Sequence, residues 1–277
     1  MMATTPSEQI HQVLVHGRRM RVCVRPGEGT PLLLCNGIGA SLELLQAFVD
    51  ALDPSIPVVR FDVPGIGGSQ LPRRPYNLAT LARSLGRVLT ELGFDRVDVL
   101  GISWGGALAQ QFAAQHPRRC RRLVLVSTSA GWMMVPGSPH VLRTMSTPRR
   151  YRDPEYGASV AGSIYGGAIR DDPGLGRRFY AGQKTSVTSR RAYFLQLAAG
   201  AGWTSLPFLK LIRQPTLVLA GDDDPIIPLA NARMLHRGLP HSTLHVFRDG
   251  HLGLLVLADE LAPVIADFLR PDKADAG

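Results

Sequence analysis

Residues 99–117 read "VLGISWGGALAQQFAAQHP": an apolar run, a serine fenced by glycines, then an Ala- and Gln-rich stretch that ends at proline. A short apolar run closed by glycine reads as a buried strand, and the small-residue stretch after it as a helix. Ser103 therefore stands at a strand-to-helix turn. A turn that sharp holds the serine in a strained backbone conformation and lifts its Oγ above the sheet edge. Side chains two positions either side would collide with the neighbouring strand and helix, so sterics demand Gly101 and Gly105. Gly106, Ala107 and Ala109 let the helix lie close to the sheet. Its first N–H groups carry partial positive charge and point towards the space beside Ser103, which places the Trp104 N–H to bind an oxyanion. The competing reading is a serine that only caps a helix. A second string, "GASVAG" at 157–162, offers Gly157-x-Ser159-x-Ala161 with no strand before it. The setting, more than the string, carries the signal.

Outward from this junction, short apolar runs alternate with amphipathic segments, the pattern of a mostly parallel sheet with helices on both faces. "QVLVH" and "MRVCV" flank "GRR" as an antiparallel hairpin, and "PLLLC" is a buried strand. Ser41 is placed to cap a helix whose apolar positions Leu45, Phe48, Val49 and Leu52 recur at helical spacing. "PVVRFD" is the next strand, a helix spans about 78–92, and "RLVLVST" is the strand after the Ser103 helix. From Trp132 to Trp203 the rhythm breaks into irregular Pro, Gly, Met and Arg, with helical fragments and no clear strand. A tract of that size between two strands reads as an inserted cap. The expected organisation is a core of residues 1–131 and 204–277 with a cap of 132–203. The α/β rhythm resumes with "PTLVLAGDDDP", a helix near 230–237, "TLHVF", and a last helix around 257–269. Eight strands, mostly parallel, are expected.

A serine hydroxyl needs a base, and the base needs an orienting acid. Of the eight histidines, His16 and His245 sit in strand-like runs and His116 ends a helix. His11, His140, His236 and His241 lie in segments that no strand feeds. His251 follows "TLHVF" by the turn "RDG", where a loop can lean over the sheet's C-terminal edge. The acid is expected in "AGDDDPIIP", which leaves its strand at the same edge; spacing alone does not choose among Asp222, Asp223 and Asp224. A second oxyanion donor is expected from the glycine-rich "NGIGAS" after "PLLLC", with the Ile38 N–H as candidate. The other glycine-rich turn, "DVPGIGGS", does not match G-x-G-x-x-G, and Pro72 and Pro75 discourage an immediate helix, so no dinucleotide site is expected there.

The chain has 277 residues, 45% hydrophobic and 19% charged, which suits one large domain with an insertion and a core that needs no staples. Cys23, Cys35 and Cys120 are odd in number and far apart, so neither a disulfide framework nor a zinc site is indicated. "MMATTPSEQIHQ" lacks the n- and h-regions of a signal peptide, and no run approaches the ~18 apolar residues of a membrane span. A soluble, cytoplasmic protein is expected. The net charge is +9, with clusters at Arg118, Arg119, Arg121 and Arg122 and at Arg149, Arg150 and Arg152. The excess reads first as a solvated basic surface, and second as a face for an anionic partner such as phospholipid. No recognition helix accompanies it, so nucleic acid is not expected.

Together these residues resemble the α/β-hydrolase superfamily with an inserted cap. More closely the chain is similar to the intracellular poly(3-hydroxyalkanoate) depolymerases of medium-chain-length storage polyester. The similar stretches include "TPLLLCNGIGASLELLQAFVDALDP", "FDVPGIGGSQLPRRPY", the run around Ser103, "MVPGSPHVL", "IYGG", "AGWTS" and "DGHL". The resemblance implies an α/β-hydrolase fold, Ser103 as nucleophile, His251 as base and, three after Gly221, Asp224 as acid. It implies ester cleavage through an acyl-enzyme with no metal or organic cofactor. The implied partner is a polyester granule or hydrophobic ester, with arginines meeting an anionic granule coat. An alkyl-bearing polyester needs an apolar channel, for which Trp132, Met133, Met134, Tyr165 and Trp203 are candidates, with Val135, Phe194 and Leu195. The plainer reading is that these residues pack the cap onto the core. Two further readings stand beside it: a carboxylesterase or lactonase for small soluble esters, and a non-catalytic granule-surface binding protein.

Overall fold

A computed structural model describes residues 7–182 and 189–270. One eight-stranded sheet runs in the order β1-β2-β4-β3-β5-β6-β7-β8. Its strands are β1 (Gln9–Val15), β2 (Arg18–Arg25), β3 (Leu32–Cys35), β4 (Val58–Phe61), β5 (Val97–Ile102), β6 (Cys120–Val126), β7 (Thr216–Gly221) and β8 (Ser242–Phe247). The pairs β1/β2 and β2/β4 are antiparallel and the remaining pairs parallel. Every residue of β3, β4, β5 and β7 is buried, as expected of central parallel strands covered on both faces.

The helices are α1 (Gln46–Ala51), α2 (Leu78–Glu91), α3 (Trp104–Gln115), α4 (Pro139–Met145), α5 (Arg149–Arg152), α6 (Pro154–Tyr165), α7 (Gly167–Asp171), α8 (Pro173–Gly182), α9 (Arg190–Gly200), α10 (Ala230–Gly238), α11 (Gly253–Val256) and α12 (Ala258–Leu269). On one sheet face α2, α3 and α10 bury Leu81, Leu85, Phe112 and Leu235 against the strands. On the other, α1 and α12 bury Phe48, Val49, Leu261 and Ile265. Asn77 and Thr80 close a reciprocal capping box at the start of α2, a device worth about 1 kcal/mol.

Two local expectations change. The first strand ends at Val15, and the hairpin turns on His16 and Gly17, with φ of 50° and 71°; a two-residue hairpin loop whose twist matches the strands needs positive φ at both positions. Ser41 precedes a 3-10 turn over Leu42–Leu45 and its side chain makes no capping bond. The regular helix starts only at Gln46.

Between β6 and β7 the described residues form the six helices α4–α9 and no named strand. The tract leaves and returns through one neck, where Gly131 bridges Thr204 and the Trp132 N–H donates to the Trp203 carbonyl at 2.7 Å. Its own apolar cluster of Val141, Ile164, Tyr165 and Tyr180 continues into Ile226 and Leu252, from the loops after β7 and β8. The helical tract is thereby packed over the C-terminal edge of the sheet, where the candidate residues emerge.

Candidate active site

Ser103 joins β5 to α3 with φ 55° and ψ −122°, a conformation that costs a non-glycine residue about 1–3 kcal/mol. The surroundings hold it there. Its N–H donates to the Val126 carbonyl at 3.0 Å, and its carbonyl accepts from the Gly106 N–H at 2.9 Å and from the Thr128 hydroxyl at 2.7 Å. The Ser103 side chain makes no capping bond to α3, so the plain capping role fails. A Cβ on Gly105 would stand 2.0 Å from the Cys35 carbonyl oxygen, and one on Gly101 2.4 Å from the Gly105 oxygen. Sterics therefore do exclude side chains at these two positions. The look-alike Ser159 lies exposed within α6, its hydroxyl donating to the Tyr156 carbonyl at 2.8 Å.

His251 leaves β8 through residues 248–250 and is 3% exposed. Its Nδ1 is 2.7 Å from Asp224 Oδ2. A carboxylate only accepts, so Nδ1 carries the proton and Nε2 is the basic nitrogen. The other oxygen of Asp224 accepts from the Ile226 and Ile227 N–H groups, each at 2.9 Å. Asp222 is exposed. Asp223 turns towards Arg170 and accepts the Gly167 N–H at 2.7 Å. Geometry thus separates three aspartates that spacing could not. The His251 imidazole stacks on Tyr165, with ring centroids 6.4 Å apart and planes inclined by 13°. Burial pushes the Tyr165 phenol well above its ordinary pKa, so it stays neutral beside the imidazole.

Ser103, His251, Gly37 and Ile38 line one cavity of about 30 Å3, closed from the helical side by Met145, Tyr151, Tyr165 and Phe179. A Cβ on Gly37 would come 3.7 Å from the Ser103 Cβ, which puts the Ile38 loop beside the serine. Trp104 opens α3 immediately after it.

Of the side chains expected along a channel, the structure brings Tyr165 to this cavity. Trp132 and Met133 are 73% and 59% exposed, and Val135 and Phe194 are also exposed. Met134 accepts from the Ser129 hydroxyl at 3.4 Å, Leu195 is half-buried on α9, and the Trp203 indole N–H donates to Gln111 at 2.6 Å. For the two tryptophans the cause is the neck: pairing Gly131 with Thr204 holds both beside that bridge and outside the cavity lining. Tyr151, Met145 and Phe179, which sequence reasoning missed, lie on short helices whose inward face periodicity does not define.

The second glycine-rich turn also has an occupant. The Gly68 and Leu42 N–H groups each donate to the Asp62 carboxylate at 2.8 Å, and Arg21 pairs with it at 3.3 Å. Among the described residues no group of three or more His, Cys, Asp or Glu is arranged to hold a metal ion, and no helix is long and apolar enough to cross a membrane.

Residues 30–165 match the α/β-hydrolase fold family. The chain is 49% identical over 266 residues to a poly(3-hydroxyalkanoate) depolymerase of Ectopseudomonas oleovorans, covering 95% of this chain and 93% of that one. It is 29% identical to a 2-hydroxy-6-oxo-2,4-heptadienoate hydrolase of Pseudomonas putida, covering 89% and 91% of the two chains. Among solved structures, the enol-lactonase of Burkholderia xenovorans LB400 superposes with a TM-score of 0.78 at 23% identity, over 93% of this chain and 98% of that one. That last likeness speaks to the fold.

Proposed function

We propose, for a chain that belongs to the α/β-hydrolase family, that this carboxylic ester hydrolase cleaves poly(3-hydroxyalkanoate) polyester to 3-hydroxy acids or oligomers. A shared fold does not choose a substrate; the polyester reading draws on the 49% identical depolymerase. The observation that carries the chemistry is the buried Asp224–His251 pair at 2.7 Å, sharing a cavity with the strained Ser103.

In this mechanism His251 Nε2 takes the Ser103 proton as Oγ attacks the ester carbonyl. The Ile38 and Trp104 N–H groups hold the oxyanion, each such donor being worth about 3 kcal/mol of barrier. Asp224 keeps the imidazole in the useful tautomer and stabilises its cationic form. The imidazolium then protonates the departing alkoxide, leaving the acyl group on Ser103. Water, deprotonated by His251, attacks that ester and frees the acid. In this reading Ser103, His251 and water pass every proton, and no cofactor takes part. Residues 132–203 serve as a cap over the cavity, with Tyr165 against the substrate. We further place the enzyme in the cytoplasm, with Arg149, Arg152 and Arg190, which share a groove with Phe194, meeting the anionic coat of a polyester granule.

Clearing of a medium-chain polyester emulsion, with product analysis, tests the reading: wild type clears it and Ser103→Ala does not. An enzyme for small soluble esters would instead hydrolyse p-nitrophenyl esters and leave the emulsion turbid. A fluorophosphonate that failed to label Ser103 would favour a binding protein instead.

A further inference from the structure

The peptide next to the Ile38 N–H is held from both sides by the helical tract. The Tyr151 hydroxyl, on α5, donates to the Ile38 carbonyl at 2.9 Å. Gln196 Oε1, on α9, accepts the Gly39 N–H at 2.9 Å. That carbonyl and that N–H belong to one peptide group, so two side chains from separate helices fix one plane. Gly39 itself has φ 74°, and a Cβ there would meet Tyr151 Cε2 at 2.7 Å and Tyr193 Cε2 at 3.0 Å. The loop lies against these two rings as closely as only glycine permits.

The clamp is braced from behind. Arg150 is fully buried, and its guanidinium lies 4.5 Å from the Tyr151 ring centroid and 5.5 Å from that of Tyr193. It donates to the Tyr193 hydroxyl at 2.9 Å, which in turn donates to the Met145 carbonyl at 2.6 Å. Gln196 is also fully buried, and its Nε2 finds no partner among the described residues. A buried amide with an unmet donor lowers stability, and the bond to Gly39 is what its polar end does make.

We propose that Tyr151 and Gln196 are positioning residues for the oxyanion hole. By fixing the 38–39 peptide they restrain, through the Ile38 Cα, the adjoining 37–38 peptide that carries the Ile38 N–H, so the hole is held in shape while the tract is seated on the loop. The proposal rests on the serine-hydrolase reading above.

Tyr151→Phe keeps the ring and removes only the hydroxyl, and Gln196→Met keeps the bulk and removes the acceptor. With p-nitrophenyl octanoate, each is expected to lower kcat about tenfold, a fraction of the 10²–10³-fold that losing a whole donor costs. KM should hold within about twofold, as for an interaction made only in the transition state. Affinity for an alkyl trifluoromethyl ketone, which forms an oxyanion on Ser103, should fall by the same factor as kcat/KM. The double variant should be little worse than the poorer single, because both act on one peptide. Unchanged kcat and ketone affinity overturn the clamp, and so does a raised KM with kcat preserved, which makes Tyr151 a substrate contact. Should one variant lose its cooperative melt, the other decides. If wild type escapes fluorophosphonate labelling at Ser103, the hydrolase reading fails and takes the clamp with it; normal labelling with unaffected variants removes the clamp alone.

Discussion

Asp222, Asp223 and Asp224 follow one another in the chain and end in three different environments. Asp222 faces solvent, Asp223 pairs with the exposed Arg170, and Asp224 is buried against His251. An exposed ion pair contributes little, roughly 0–1 kcal/mol, whereas losing the acid behind a catalytic imidazole costs on the order of 10³–10⁴-fold in kcat. Asp224→Asn is therefore expected to cut ester turnover by that order while Asp222→Asn and Asp223→Asn stay within about threefold of wild type; equal losses in all three would displace Asp224 from its role. A second residue-scale expectation concerns Gly105, whose added Cβ would lie 2.0 Å from a backbone oxygen of β3. Backbone cannot swing aside as a side chain does, so Gly105→Ala should destabilise the fold by about 3 kcal/mol, seen as a lowered urea midpoint at unchanged slope. Both glycines around Ser103 were legible in the sequence because a steric demand at fixed spacing is local. Spacing did not choose Asp224, which only the resemblance selected, since three adjacent carboxylates differ only in what the folded chain sets opposite them.

At the scale of elements, strand ends supply the candidate catalytic groups and the helical tract holds their loops. The His251 N–H donates to the Tyr165 carbonyl at 2.7 Å, and Asp249 Oδ1 accepts the Ala168 N–H at 2.9 Å and the Gly250 N–H at 2.6 Å. The α6–α7 junction is thus bonded to the loop that carries the base. Asp249→Ala strands the buried Gly250 N–H, at a cost of about 1–3 kcal/mol, and the half-buried Ala168 N–H, and should lower both stability and kcat. A melt like that of wild type would show that water replaces the carboxylate. The strands, and the helices flanking them, could be read from the chain because burial imposes periods of two and 3.6 residues on long stretches. In the tract the helices are as short as the four residues of α5, and one turn defines no period. Its key contacts are also remote: Tyr151 meets Ile38 across 113 positions and Gln196 meets Gly39 across 157. Pairings of that span leave no mark on local pattern.

For the whole molecule, the surplus of nine positive charges is the property the catalytic centre does not use. Arg149, Arg152 and Arg190 are exposed and line a groove of about 540 Å3 with Phe194, none of which lines the catalytic cavity. Separate linings make the two properties separable by experiment. Replacing all three arginines by glutamate changes the local charge by six units while leaving Ser103, Asp224 and His251 in their surroundings. If this face meets an anionic coat, co-sedimentation with phospholipid-coated polyester particles should fall severalfold in the variant at low salt. Wild-type binding should weaken in parallel as ionic strength rises, since exposed charges are screened beyond about 8 Å at 0.15 M. Turnover of a soluble p-nitrophenyl ester should be the same in both proteins, because that reaction needs no surface. Equal co-sedimentation of wild type and variant across the salt series would instead assign the charge to solvation, and particle binding to apolar side chains such as Trp132 and Met133, which stand 73% and 59% exposed.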